Sequence, residues 1–168
     1  MDQRTEGKAA LTPPTAVDRT SDTELTVIRT INGPAHLVFQ AWTDAKLMPR
    51  WWVPKSFGIT LLSCEMDART GGTYRFTFAV PGSDQPMAFF GRYIEVTPSS
   101  RLVWTNEESG PDGSVTTVTF EERGGTTHLT LHDRYPSKAA LDEAIASGST
   151  GAFPEQFDAL DALVGTLG

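Results

Sequence analysis

Cysteine is nearly missing: Cys64 is the single one in 168 residues. No internal disulfide can form, and a lone thiol is most comfortable in a reducing compartment, where its ordinary role is that of a small buried hydrophobe. Basic clusters are missing too. With 14 Lys and Arg against 21 Asp and Glu the formal net charge is −7, which argues against nucleic acid as a partner. No apolar run reaches the length of a membrane span, and Met1 to Lys8 hold no apolar core of signal-peptide length. The expected location is therefore the cytoplasm, without membrane insertion. Histidines number 3; His128 and His132 share a strand face but lie about 13 Å apart, and His36 stands alone near a helix start. No ligand cluster forms, so neither a metal site nor a cofactor is expected. The glycine pairs at 71–72 and 124–125 fall between strands rather than between a strand and a helix, so they read as turns and not as a phosphate loop. Serine and histidine form no recognisable nucleophile pattern, and no catalytic residue can be named.

What is present suits one domain: 39% hydrophobic and 21% charged residues are ordinary for a globular chain. Residues 1–22 mix charges of both signs with Thr, Ser and Pro13-Pro14 and read as a flexible tail, leaving residues 23–168 as the folded domain. Glu24 to Ile31 is β-branched and strand-like, stopped by Asn32-Gly33-Pro34. Pro34 suits the first position of a helix with Leu37, Val38, Ala41 and Trp42 inside. Thr43-Asp44 can cap a second short helix carrying Leu47 and Met48, with Trp51-Trp52 following it. From Phe57 the hydrophobic period changes to two, giving strands over 57–66, 73–80, 87–96, 102–105, 114–120 and 127–132. Their short connectors imply an antiparallel meander. The alternation points inward Leu62, Cys64 and Met66, then Tyr74, Phe76 and Phe78, then Leu102 and Trp104, Val118 and Phe120, and Leu129 and Leu131. Around Phe89 to Val96 both faces carry aromatic and charged residues, so the facing stays open.

Ser137 can cap a helix with Leu141 and Ile145 on one side, interrupted by Ser147-Gly148-Ser149. A fresh helix then starts near Gly151 with Pro154 in its first turn, and its narrow stripe is Phe153, Phe157, Leu160, Val164 and Leu167. Such a stripe must be buried against the sheet, and a sheet gripping a helix leaves a hollow. Phe153 and Phe157 are expected to project furthest into it.

The motifs Arg29-Thr-Ile-Asn-Gly-Pro34, Val38-Phe-Gln-Ala-Trp-Thr-Asp44, Trp51-Trp-Val-Pro54, Asp67-Ala-Arg-Thr-Gly-Gly72, Gly91-Arg-Tyr-Ile-Glu-Val96 and Arg101-Leu-Val-Trp104 occur in an order that resembles the START-like (SRPBCC) superfamily, in the branch named after the activator of heat-shock-protein-90 ATPase. The resemblance spans roughly residues 24 to 167. It implies an α+β helix-grip fold: a curved antiparallel sheet of about seven strands, two short helices after the first strand, and a C-terminal helix packed on the sheet. It also implies a cavity, since members of the superfamily bind lipids, sterols, polyketides or aromatic metabolites, and some are cyclases. Where the branch usually shows Gly-Trp near the start of the grip helix, this chain has Ala152-Phe153. The namesake co-chaperone carries a second, N-terminal domain, for which residues 1–22 are too short.

The residues expected to line the cavity are the aromatics Trp42, Trp51, Trp52, Phe76, Phe78, Tyr93, Trp104, Phe120, Phe153 and Phe157, together with Cys64, Arg92 and Leu160; filling a solid core is their alternative role. Asp67 and Arg69 make either an ion-paired hairpin corner or a polar rim. Arg29, Arg75 and Arg92 have undetermined facing, and one turned inward would need an anionic partner, which a ligand carboxylate could supply. The expected function is binding of a small hydrophobic or aromatic molecule between sheet and C-terminal helix. The alternatives are a cyclase or hydrolase of a reactive apolar metabolite, and a chaperone-linked interaction module. A homodimer through an exposed apolar patch stays open.

Overall fold

The computed structural model describes residues 15–53, 55–107, 110 and 113–167. One antiparallel sheet of eight strands carries the fold: β1 (Thr15–Arg19), β2 (Glu24–Ile31), β3 (Thr60–Met66), β4 (Thr73–Ala79), β5 (Met87–Thr97), β6 (Arg101–Thr105), β7 (Val115–Arg123) and β8 (Thr126–Arg134), in the spatial order β1-β2-β8-β7-β6-β5-β4-β3. The expected meander of six strands is β3 to β8, and β2 closes it by pairing with β8. The eighth strand, β1, corrects the reading of residues 1–22 as tail. It pairs with β2 from Thr15 opposite Arg29 to Arg19 opposite Leu25. Only Thr15 of this strand is buried, so the pairing depends on backbone hydrogen bonds to the free edge of β2, and periodicity carries little sign of it. Residues 1–14 of the expected tail lie outside the described residues.

Two irregularities re-aim side chains. A register shift between Leu61 and Ser63 in β3 inserts an extra residue, so Leu62, expected inside, is 56% exposed while Leu61 turns inward. In β5, Gly91 and Tyr93 are buried and Arg92 and Ile94 exposed, which settles the facing that the sequence left open.

The helices are α1 (Ala35–Thr43), α2 (Pro49–Trp52), α3 (Lys138–Ala146) and α4 (Phe153–Leu167). Pro34 caps α1 rather than opening it, and the Ala35 amide donates to Glu122 Oε1 at 2.8 Å. The second helix starts later than expected: residues 44–48 form turns, with Asp44 Oδ1 accepting from the Lys46 amide at 2.8 Å, and the single helical turn holds Trp51 and Trp52. Ser137 caps α3 by accepting from the Ala140 amide. Gly148, at φ 84°, ends that helix in the left-handed region, and a 3-10 turn over Ser149–Ala152 leads into α4.

Helix α4 packs on α1, α2, β1 and β2. Phe157, Leu160 and Val164 are at most 1% exposed. The Trp42 ring meets Trp51 at 4.6 Å, Trp104 at 5.7 Å, Phe157 at 6.1 Å and Phe120 at 6.3 Å between centroids. Gly33 is required where the turn after β2 meets α4, since a Cβ there would stand 2.4 Å from Val164 Cγ1. Buried Arg29 ties the other side: Nη1 donates to Asp158 Oδ1 at 2.6 Å and to Thr15 Oγ1 at 2.9 Å, and Nη2 lies 3.7 Å from Asp161 Oδ2. The anionic partner demanded by an inward arginine is therefore the grip helix itself.

Phe157→Ala should cost about 3–5 kcal/mol of unfolding free energy, because it empties a site with no solvent contact, whereas half-buried Phe153→Ala should cost roughly 1 kcal/mol. Urea melts of the two variants measure the contrast; equal losses would contradict the packing described.

Candidate functional site

A cavity of about 800 Å³ opens between the inner face of β4 to β8, helix α3, the first turn of α4, Trp52 and Val53, and the stretch from Phe57 to Leu61. Helix α4 contributes only Phe153 and Gln156, and the turn before it Thr150 and Ala152. The hollow therefore lies at the N-terminal end of the grip helix and not beneath its length. The first turn of α4 is tied to Trp52 and Ser56, with Gln156 Nε2 donating to the Trp52 carbonyl and Glu155 accepting from the Ser56 amide and hydroxyl, while the helix as a whole packs on α1, α2, β1 and β2.

Seven of the expected lining residues are on the wall: Trp42, Trp52, Phe76, Phe78, Tyr93, Trp104 and Phe153. The other six are not. Phe120, Phe157 and Leu160 fill the solid core around α1 and α4, so Phe157 does not project into the hollow. Trp51 is 1% exposed behind Trp42, its Nε1–H donating to the Ala41 carbonyl at 2.9 Å. Cys64 is half-buried against the core, and burial pushes its thiol up to about 11. Arg92 points outward and donates from Nε to Glu107 Oε2 at 2.8 Å. Arg75 lies outside as well, its guanidinium 5.1 Å from the Phe90 ring centroid. Asp67 and Arg69 form the ion-paired hairpin corner, with Arg69 Nε 2.9 and 3.0 Å from the two carboxylate oxygens, away from the cavity wall.

One end of the wall is polar. On β8 the buried residues are Thr127, Leu129, Leu131 and then Asp133; on β7 the same face runs Phe120, Val118, Thr116; past Trp104 of β6 it reaches Asn106. Thr116 is the cross-strand partner of both Asp133 and Trp104. Asp133 Oδ1 accepts a hydrogen bond from the Thr116 hydroxyl. The Thr116 oxygen in turn accepts from Asn106 Nδ2 at 2.9 Å, and the Tyr74 hydroxyl stands 3.1 Å from Asn106 Oδ1 and 2.8 Å from the Thr105 carbonyl. Asp133 Oδ2 accepts no hydrogen bond among the described residues. Asp133 is 8% exposed, and this burial raises its carboxyl from 3.8 to about 6, with the Thr116 hydrogen bond and His132 pulling the other way. Burial, followed by the charges of Cys64 and Asp67, also raises the Tyr93 phenol.

The sequence reading stopped the last strand at His132 and so missed Asp133. The signal was present: the inward alternation of β8 continues for one more step, and the position it reaches is a carboxylate. Thr116 and Asn106 escape the same expectation, which assigns inward positions to apolar residues. Val53, Phe57, Ile59 and Leu61 also join the wall; the bulge hides Leu61 from a strict period of two. His128 and His132 face away from the core, as expected, with His132 Nε2 3.1 Å from Glu24 Oε2. Among the described residues no group of three His, Cys, Asp or Glu could hold a metal, and no helix is long and apolar enough to cross a membrane.

A carboxyl raised on folding binds its proton more tightly in the native state. Its contribution to stability is therefore fully present below 3.8 and is lost as pH climbs to about 6, a loss on the order of 3 kcal/mol. Asp133→Asn should accordingly melt at a higher temperature than the parent near pH ~8, with the difference vanishing near pH ~4. The same difference at both ends of a pH series of thermal melts would contradict an ionised buried carboxylate.

The family model of the Activator of Hsp90 ATPase homolog 1-like protein matches residues 32–165. No curated protein matches the sequence. Among solved structures, a structural-genomics protein from Rhodobacter sphaeroides superposes with a TM-score of 0.82 at 22% identity, covering 92% of this chain and 99% of its own. A protein from Mycobacterium smegmatis gives 0.77 at 22% identity over 92% and 100%. One from Chromobacterium violaceum gives 0.66 at 29% identity over 83% and 96%. With a helix-grip architecture and a family match over most of its length, the chain belongs to the Activator of Hsp90 ATPase homolog 1-like family.

Proposed function

We propose that this domain binds a small hydrophobic or aromatic molecule in the cavity at the N-terminal end of α4. The observation that carries the reading is the cavity itself: about 800 Å³ walled by Trp42, Trp52, Phe76, Phe78, Trp104 and Phe153, within the size range of ligand pockets. Aromatic walls offer large apolar area at fixed geometry, and the cluster at Asp133 supplies the few polar groups that orient a ligand. The single cysteine and the absence of any membrane-length helix among the described residues fit a role in the cytoplasm.

Asp133 favours a second reading. A buried carboxyl with a value near neutrality can give and take a proton, which a cyclase or hydrolase of an apolar metabolite would need. The interaction-module reading draws no support from Trp51 and Trp52, because Trp51 is buried and Trp52 half-buried.

A panel of apolar and aromatic compounds tests the binding reading. A ligand present at about a hundredfold over its Kd should stabilise the fold by about 2.7 kcal/mol, seen as a rise in Tm. It should also perturb tryptophan fluorescence, because Trp42, Trp52 and Trp104 lie on the wall. No shift in either with any compound would count against the reading.

A further inference from the structure

The charged residues on the cavity wall are Asp133 and Glu143, and no Lys, Arg or His is among the described wall residues. The strand arginines are committed elsewhere. Arg29 is held by Asp158 and Asp161 under α4, Arg92 by Glu107, and Arg75 stacks on Phe90. His132 belongs to the opposite face of β8, against Glu24. Asp133 thus has more than nine-tenths of its surface buried and one carboxylate oxygen bonded to Thr116. Its other oxygen has no hydrogen-bond partner among the described residues, and no protein cation lies beside it on the cavity wall. A carboxylate in that position is costly unless something with a positive charge or a strong donor arrives.

The indoles on the wall point to the same complement. Aromatic faces attract cations, most strongly when water is excluded, and Trp42, Trp52 and Trp104 all border the hollow. Along the sheet, Trp104 lies opposite Thr116 and Thr116 opposite Asp133. That places the backbone positions of Trp104 and Asp133 two strand spacings, about 10 Å, apart on the same face. A ligand spanning this distance has an aromatic or apolar body over Trp104 and a short arm ending at Asp133. An anionic end group would meet two carboxylates and no cation.

We infer that the cavity is selective for apolar or aromatic molecules bearing a protonated amine, which Asp133 receives as a charge-assisted hydrogen bond at the free carboxylate oxygen, and that it discriminates against carboxylates of the same skeleton. This rests on the cavity being the binding site, and the test separates the two claims.

Calorimetric titration of the full chain at neutral pH with naphthylethylamine, naphthylethanol and naphthylacetate compares three end groups on one apolar body. The amine should bind about tenfold or more tighter than the alcohol, as expected of a hydrogen bond to a charged group, and the acid more weakly than either. Asp133→Asn keeps the side-chain shape and an oxygen for Thr116 to donate to; removing the charge should cost the amine more affinity than the alcohol and close the gap between the two. The series on the parent protein decides even if that variant fails to fold. Equal affinity for amine and alcohol, or preference for the acid, overturns the inference while binding in the cavity stands. A preference for the amine that survives Asp133→Asn overturns the assignment to Asp133. Binding by none of the three overturns the inference, and with a blank apolar panel it removes the cavity reading as well.

Discussion

The structure depends on how α4 is held, against the sheet and α1 over its later part and against Trp52 and Ser56 at its start. Trp42 is the hub: its ring touches Trp51, Trp104, Phe120 and Phe157, so α1, α2, the sheet and α4 share one aromatic contact. Offset and edge-on aromatic pairs of this kind add to the burial of large side chains. On the far side of the helix the Arg29 guanidinium joins β2 to Asp158 and Asp161. Removing either acid would leave a buried cation short of a partner, the situation in which breaking such a pair costs most. Toward its N-terminus the helix is tied instead to Trp52 and Ser56, through Gln156 Nε2 to the Trp52 carbonyl and through the Glu155 carboxylate, which accepts from the Ser56 amide and hydroxyl. Gly148 ends α3 and Pro154 sits in the first turn of α4, so the chain turns a corner there and the sheet below goes uncovered.

That corner determines what the cavity can do. A helix packed evenly along the sheet would leave a solid interior; one packed over its later part leaves a hollow walled by aromatics from three strands and three helices. The same end of the sheet is where the inward face becomes polar, through Asn106, Thr116 and Asp133. The hollow is thus apolar along most of its wall and acidic at one end. The family supplies the fold; this arrangement of side chains is what gives the site a chemistry of its own.

Much of this was legible in the sequence, for physical reasons. The period-two alternation from Phe57 onward reports burial of one sheet face, and the capping chemistry of Ser137 and the break at Gly148 report local backbone geometry. The stripe on α4 is equally direct. Four things were not legible. The strand β1 buries almost nothing and depends on hydrogen bonds to a distant edge. The bulge at Leu61 to Ser63 inverts the facing of Leu62 without any change in composition. Asp133 continues an apolar alternation as a carboxylate, and a search for inward positions among apolar residues passes over it. Periodicity could not separate Phe153, on the cavity wall, from Phe157, in the solid core, since both lie on one stripe; only the position of the helix relative to its neighbours does so.

The proposed binding site lies at the N-terminal end of α4, between the sheet and the α3–α4 corner. Nuclear magnetic resonance of the labelled protein, titrated with an aromatic compound that raises its Tm, tests this most directly. The largest shifts are expected at the indole N–H signals of Trp52 and Trp104 and at the backbone amides of Thr116, Asp133 and Phe153. Shifts concentrated at Leu163 and Val164, or on the outer face at Leu62 and Ile94, would contradict it.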